Sequence, residues 1–375
     1  MSCCKGRPVG RGAVTLVKLS LAHGGVVWMS DRGANSTALH VVDEGGETMI
    51  YECGVNASGS SLSKWRDDGI GGQKLWEISG YSDAQDVKVD SINGNVWLWQ
   101  ILDRITVFDS NGVEINNLAN AGTGGTLDHD ALVDSGNGNM NLWRPTSPGS
   151  GGVWQFDTSL TEVASLESPS GVLPRGDRLT GGVSGWVYFD SDGSNNTLIS
   201  FRDNDLAQEV ATVNIANVTI NDSWKASAST LVFEFNGASS PHVNDGNVYS
   251  YDCTNATQKW VRTDLGIQFN SGNTANEMAF IDTVDNLYHN NLKYNSDGDL
   301  LWTAESGTSS GRVMYDAASG SLVYHGGGTS VTRNDPSDGT IIWRRSADSI
   351  SVSALKGAQI FGDAVYLCGA RRTIP

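Results

Sequence analysis

The sequence reads as an all-β chain of eight four-stranded antiparallel sheets set in a ring, and three observations predict it. A strand–turn–strand element with a Trp near its end recurs about every 45 residues. A second kind of strand, carrying an aromatic near its end, recurs in the same phase. The composition agrees: 45 Gly and 12 Trp among 375 residues, with 18% charged, suits strands joined by tight turns better than helices.

The first element is clearest in Trp65-Arg-Asp-Asp-Gly leading to Trp76, Tyr294-Asn-Ser-Asp-Gly-Asp-Leu-Leu-Trp302 and Arg333-Asn-Asp-Pro-Ser-Asp-Gly leading to Trp343. Tyr251 to Trp260 is another copy. Three degenerate copies start at Phe108, Phe156 and Phe201 and lack the Trp, and the earliest ends at Trp28. The eight anchors are Trp28, Trp76, Ile115, Ala164, Ala211, Trp260, Trp302 and Trp343. Four strands of about 5–6 residues plus their turns fill such a period, which is the size of one propeller blade.

The second element comprises Met49–Cys53, Val96–Gln100, Asn141–Arg144, Trp186–Asp190, Val232–Asn236, Asn286–His289, Leu322–His325 and Val365–Cys368. It is the second strand of each blade, with the anchor strand the fourth. Its aromatics, among them Trp97, Trp99, Trp143, Phe189, Phe235, Tyr288 and Tyr324, are expected to pack between blades. Residues 13–30 supply a third and fourth strand and residues 352–369 a first and second, so together they make one blade. Sharing the ends in this way closes the ring without leaving a free sheet edge. The expected organisation is a basic tail over residues 1–12 and a single eight-bladed β-propeller over 13–375; a count of seven blades would orphan one hairpin.

The strand-Asp-x-x-x-Gly-x-x-x-Trp pattern resembles the pyrroloquinoline-quinone-type (PQQ-like) propeller repeat over nearly the whole chain. In fold it also resembles the propeller lipoproteins of outer-membrane assembly. The PQQ resemblance extends to quinone-dependent dehydrogenases, which would imply vicinal cysteines near a cofactor, a calcium held by Glu, Asn and Asp, and a catalytic Asp. Cys3-Cys4 is the vicinal pair, and it precedes the first strand. A ligand- or sugar-binding propeller, or a quinone enzyme using the central funnel, is the alternative function.

The preferred expectation is non-catalytic, with no cofactor. The chain has no H-E-x-x-H or Walker A motif. Asp190-Ser-Asp-Gly193 and Asp297-Gly-Asp299 lack the distal Glu of a calcium loop and suit hairpin turns. No run of about 18 apolar residues occurs, so membrane insertion is not expected. Net charge −17 argues against nucleic acid. Five scattered cysteines are no disulfide framework. The apolar stretch 13–21 is short and broken by Lys18, so no export signal is read.

Two residue sets stand out. Cys53, Gln100, Arg144, Asp190, Asn236, His289, His325 and Cys368 close the second strands and should ring one face, turned to solvent. His289, His325, Cys368 and Cys53 fall on consecutive blades and are zinc- or copper-type ligands. Neighbouring sheets lie about 10 Å apart, too far for one ion, so no metal is expected. The second set is basic: Lys5, Arg7 and Arg11 near one end and Arg371 and Arg372 near the other. The shared blade would gather them in one sector of an acidic disc, suited to an acidic surface on another subunit. The sequence therefore reads as an interaction or structural module bound to other protein subunits, virion-associated or cytoplasmic, such as a bacteriophage tail or surface protein.

Overall fold

The computed structural model describes residues 14–30, 35–56, 59–81, 83–100, 104–119, 132–144, 152–167, 175–179, 185–191, 197–202, 209–215, 220–226, 230–235, 248–252, 255, 257–262, 279–289, 292–304, 311–316, 319–326, 330–350 and 352–372. Among them the helical segment is a 3-10 turn, Asp348–Ile350. None of the described helical structure is long and apolar enough to cross a membrane.

The described strands form eight four-stranded antiparallel sheets. The first holds β3 (Asn35–Glu44), β4 (Glu47–Asn56), β5 (Gly59–Asp67) and β6 (Gly72–Tyr81). The second holds β7 (Ala84–Val89), β8 (Val96–Gln100), β9 (Arg104–Phe108) and β10 (Glu114–Leu118). The third holds β11 (Leu132–Asp134), β12 (Met140–Arg144), β13 (Gly152–Phe156) and β14 (Glu162–Glu167). The fourth holds β15 (Arg175–Leu179), β16 (Gly185–Ser191), β17 (Thr197–Arg202) and β18 (Glu209–Ile215). The fifth holds β19 (Ile220–Ala226), β20 (Thr230–Phe235), β21 (Val248–Asp252) and β22 (Thr257–Arg262). The sixth holds β23 (Ala279–Ile281), β24 (Leu287–His289), β25 (Leu292–Tyr294) and β26 (Leu300–Thr303). The seventh holds β27 (Gly311–Asp316), β28 (Ser321–Gly326), β29 (Ser330–Asn334) and β30 (Ile341–Ser346).

The remaining sheet is discontinuous in sequence. It joins β1 (Val14–Ser20) and β2 (Val26–Ser30) to β31 (Val352–Phe361) and β32 (Ala364–Arg372), in the order β2-β1-β32-β31. In this joining sheet Lys18 lies opposite Tyr366, and Val14 opposite Arg372. First strands are neighbours between successive sheets: β31 meets β3, β3 meets β7 and β7 meets β11, and likewise β15 meets β19, β19 meets β23, β23 meets β27 and β27 meets β31.

The second and third strands read as apolar runs because both of their faces are covered. All five residues of Val96-Trp-Leu-Trp-Gln100 are buried. Val96 and Leu98 pack with Met49, Tyr51 and Leu62 of the first sheet, whereas Trp97 and Trp99 pack with Leu132, Leu142 and Trp154 of the third. Tyr288 and Tyr324 meet across the sixth and seventh sheets. These four aromatics therefore seal blade interfaces, as the sequence led us to expect. The side chains of Trp143, Phe189 and Phe235 lie outside the described residues.

The turns are held by their own Asp or Asn. Asp109 Oδ1 accepts the backbone N–H of Asn111 at 2.9 Å and of Val113 at 2.8 Å. Asn295 does the same for Asp297 and Asp299 at 3.0 and 2.8 Å. Such Asx turns explain the Asp of the repeat without a bound cation.

Candidate functional site

A β-bulge sets the geometry of every seam between sheets. In all eight sheets the pairing of third and fourth strands shifts by one residue at the same place. The bulged residue is skipped and the next faces the third strand. Trp76 thus lies opposite Lys64, Trp28 opposite Lys18, Trp302 opposite Lys293 and Trp343 opposite Arg333. In the second sheet the skipped residue is Ile115, half exposed, and Asn116 takes the anchor position opposite Val107. This corrects the anchor read from the sequence. A bulge adds one residue to one strand, and apolar spacing alone does not show where it falls.

Each anchor Trp docks on the turn of the next sheet. The indole N–H donates to a backbone carbonyl: Trp76 to Ser110 at 3.2 Å, Trp260 to Ser296 at 2.9 Å, Trp302 to Pro336 at 3.2 Å and Trp343 to Leu21 at 2.8 Å. The ring lies on a turn glycine. A Cβ on Gly298 would stand 2.8 Å from the Trp260 ring, and one on Gly339 would stand 2.6 Å from that of Trp302. The cation opposite the Trp often donates to the same carbonyl: Lys64 to Ser110 at 3.0 Å, Lys293 to Pro336 at 2.8 Å and Arg333 to Leu21 at 2.9 Å. In three sheets that lysine also lies over the second-strand tyrosine. The distances are 5.6 Å for Lys18 over Tyr366, 5.1 Å for Lys64 over Tyr51 and 5.0 Å for Lys293 over Tyr288.

The seam between the joining sheet and the first sheet uses a carboxylate instead. Asp67 Oδ1 accepts from the Trp28 indole at 3.0 Å. Its Oδ2 accepts from Lys18 at 2.6 Å and from the Tyr366 hydroxyl at 2.5 Å. Burial raises the Asp67 carboxyl, but these donors and the Gly69 N–H outweigh it and hold the group below the usual carboxylate range. One residue of the first sheet thus grips β1, β2 and β32 together. The first strands are linked as well. Gln359 of β31 both accepts from the Val41 N–H and donates to the Val41 carbonyl, each at 2.8 Å. His40 of β3 accepts the Val89 N–H at 2.8 Å through Nδ1. Burial, aided by Lys88, pushes its imidazole down to about 3.

Of the metal-ligand candidates, the two described cysteines do not converge. Cys53 and Cys368 are both fully buried, in two different apolar clusters, and Gln100 is buried too. These three were expected at solvent-facing strand ends. β4 and β32 run on past the cysteines to Asn56 and Arg372, so both cysteines sit mid-strand between packed sheets. Gln100 ends β8, yet its amide donates to Thr106 within the sheet at 2.8 Å. The side chains of His289, His325 and Arg144 lie outside the described residues, as do Asn236 and the side chain of Asp190. Among the described residues no group of three His, Cys, Asp or Glu side chains is placed to hold a metal.

The basic set is reached through the backbone. Arg371 and Arg372 end β32, where Arg371 pairs with Val352 and Arg372 with Val14. Lys5, Arg7 and Arg11 lie outside the described residues, and so do the side chains of Arg371 and Arg372. The β1–β32 junction lies at the edge where the other sheets link their second and third strands, as residues 101–103 do between β8 and β9. Sequence reasoning overlooked Asp67 and the Lys18, Lys64, Lys293 and Arg333 series. A signal existed: Lys64, Lys293 and Arg333 each come two or three residues before the Asp or Asn that opens the turn.

No protein-family model matches the chain, and no curated protein sequence matches it either. Solved structures do. Sqt1 of Saccharomyces cerevisiae superposes with a TM-score of 0.66 at 11% identity, covering 93% of this chain and 98% of that one. The computationally designed protein Ika8 gives 0.62 at 14% identity, covering 91% and 96%. BamB of Moraxella catarrhalis gives 0.55 at 10% identity, covering 95% and 99%. At such identities the likeness establishes the fold: the chain is a β-propeller.

Proposed function

We propose that the chain is a non-catalytic scaffold that docks into a larger protein assembly through the β1–β32 junction. The observation that supports this reading is the pairing of Val14 with Arg372, which sets the end of β32 beside the start of β1; Lys5, Arg7 and Arg11 precede that start in the sequence. The chain as a whole is acidic, with a net charge of −17. Like-charged discs repel at long range, so a local patch of opposite sign gives a preferred docking direction. Surface ion pairs contribute only about 0–1 kcal/mol each, so Pro8, Val9 and the Cys3-Cys4 pair are assigned the apolar part of the contact. The partner is another protein subunit, of the same or a different kind, and a bacteriophage virion is the assembly this reading favours. A cytoplasmic scaffold would use the same junction.

The test is to delete residues 1–11 and, separately, to reverse Arg371 and Arg372 to Glu. Both proteins are expected to fold and stay in solution while losing whatever copurifies with the native chain. Equal recovery of that partner would sink the proposal.

A further inference from the structure

We propose that the seam between the joining sheet and the first sheet is acid-releasable: protonation of Asp67 loosens the β1–β2 hairpin, and with it the Trp343 dock on Leu21, while the Trp76, Trp260 and Trp302 seams stay shut. The argument is one of contrast. At the Trp76, Trp260, Trp302 and Trp343 seams the acceptor is a backbone carbonyl, which has no proton to gain in the ordinary pH range. At the Trp28 seam it is the Asp67 carboxylate. The joining sheet is also the one whose two halves are not linked through a strand-to-strand turn, since β1 and β32 meet only by pairing. The titratable acceptor therefore sits at the seam where release loosens a whole hairpin.

The groups around Asp67 are Lys18 of β1, Tyr366 and Asp363 of the β31–β32 hairpin, and Arg66 and Asp68 beside it in the chain. Arg66 is turned to Glu47 of β4 at 3.3 Å. Lysine and tyrosine side chains stay protonated throughout the acid range, so Asp67 is the member of the Lys18–Tyr366–Asp67 group that changes charge. Protonating it removes a charge-assisted bond and leaves the Lys18 ammonium, 12% exposed, without its counter-ion. The Asp67 carboxyl is held lower in the fold than in the unfolded chain, where it titrates near 3.9. Its contribution is thus complete above about pH 4 and is lost as pH falls through the folded value.

Hydrogen exchange of the full chain at pH 5 and pH 3, corrected for intrinsic rates, reads this directly. Protection across residues 14–30 is expected to fall several-fold while β22 and β26 keep theirs. In Asp67→Asn the loss should already be present at pH 5 and should not grow at pH 3. Should Asp67→Asn fail to fold, Lys18→Met takes its place: without the cation, the onset of opening should move to higher pH. A uniform loss across all sheets, an unaltered pH response in Asp67→Asn, or an unmoved onset in Lys18→Met would each overturn the proposal. Titration of His40 is read separately, in β7.

Discussion

The seam between the first and second sheets and the one between the second and third solve the same problem with different residues. At the former, Trp76 reaches across to the Ser110 carbonyl and lies on Gly112, whose φ is +82°. At the latter, Asn116 stands in the anchor position and its side-chain amide donates to the Ser159 carbonyl, the matching point of the next turn. The residue matching Gly112 there is Leu160, buried and held at φ +58°. A large anchor thus meets a glycine and a small anchor meets a leucine. Leu160 joins Trp154, Phe156 and Leu118 in the cluster that fills the seam. What recurs is the hydrogen bond to the turn and the filled volume, and the Trp is one way to supply both.

The largest expected effect tests the Trp solution. Trp343 is buried and is joined by Arg333 on the Leu21 carbonyl. Trp343→Ala should cost about 3–5 kcal/mol, read as a lower midpoint in denaturant. A midpoint close to that of the unaltered chain would mean that the Arg333 bond and the remaining cluster carry the seam.

Exchanging one solution for the other comes next. Asn116→Trp alone should destabilise by about 1–3 kcal/mol, because Leu160 already fills the space. Combined with Leu160→Gly it should recover much of that loss, with a coupling energy of about 1–3 kcal/mol in a double-mutant cycle. Strict additivity would show that the two positions are not complementary.

Glycines sharpen the same point. Gly298→Ala sets a methyl 2.8 Å from the Trp260 ring at φ +81°, for an expected cost of about 2 kcal/mol. Gly45→Ala meets nothing within 4 Å at φ +67° and should cost about 1 kcal/mol, the backbone term alone. Equal costs in thermal melts would remove the docking contribution.

The smallest effect at neutral pH, and a clear one in acid, is expected from His40. Its folded imidazole lies near 3 against an ordinary 6.5, so its neutral form stabilises the fold above about pH 6.5. That contribution is lost progressively as pH falls toward 3. His40→Gln, which places at this position the residue type that Gln359 offers Val41, should be near neutral at pH 7 and flatten the loss between pH 6.5 and 3. An unchanged stability–pH profile would show that His40 is not the titrating group.

Much of this architecture was legible in the chain. Trp97, Trp99, Tyr288 and Tyr324 were readable as interface aromatics because second strands lack the polar alternation of a half-exposed strand. Trp28, Trp260, Trp302 and Trp343 were readable as anchors because each follows a turn at a fixed distance. Asn116 was not, since its neighbour Ile115 is the more apolar of the two and only the bulge turns it outward. The burial of Cys53 and Cys368 was missed because strand length past an aromatic carries no periodic mark. The convergence of Arg371 and Arg372 with Val14 rests on the expected sharing of one sheet by residues far apart in sequence, and the register that fixes it is tertiary.

By itself the sequence determined the period, the phase of the eight repeats and the burial of both faces of the middle strands. These follow from local patterning, in which a residue's neighbours in the chain set its strand and its turn. Tertiary structure alone decided the partners across the seams. Tyr366 and Asp67 are 299 positions apart, and no local rule distinguishes the one turn that offers a carboxylate to the joining sheet from those that offer a carbonyl. That choice depends on which sheet lies beside which, and on a one-residue bulge that rotates each anchor toward its neighbour.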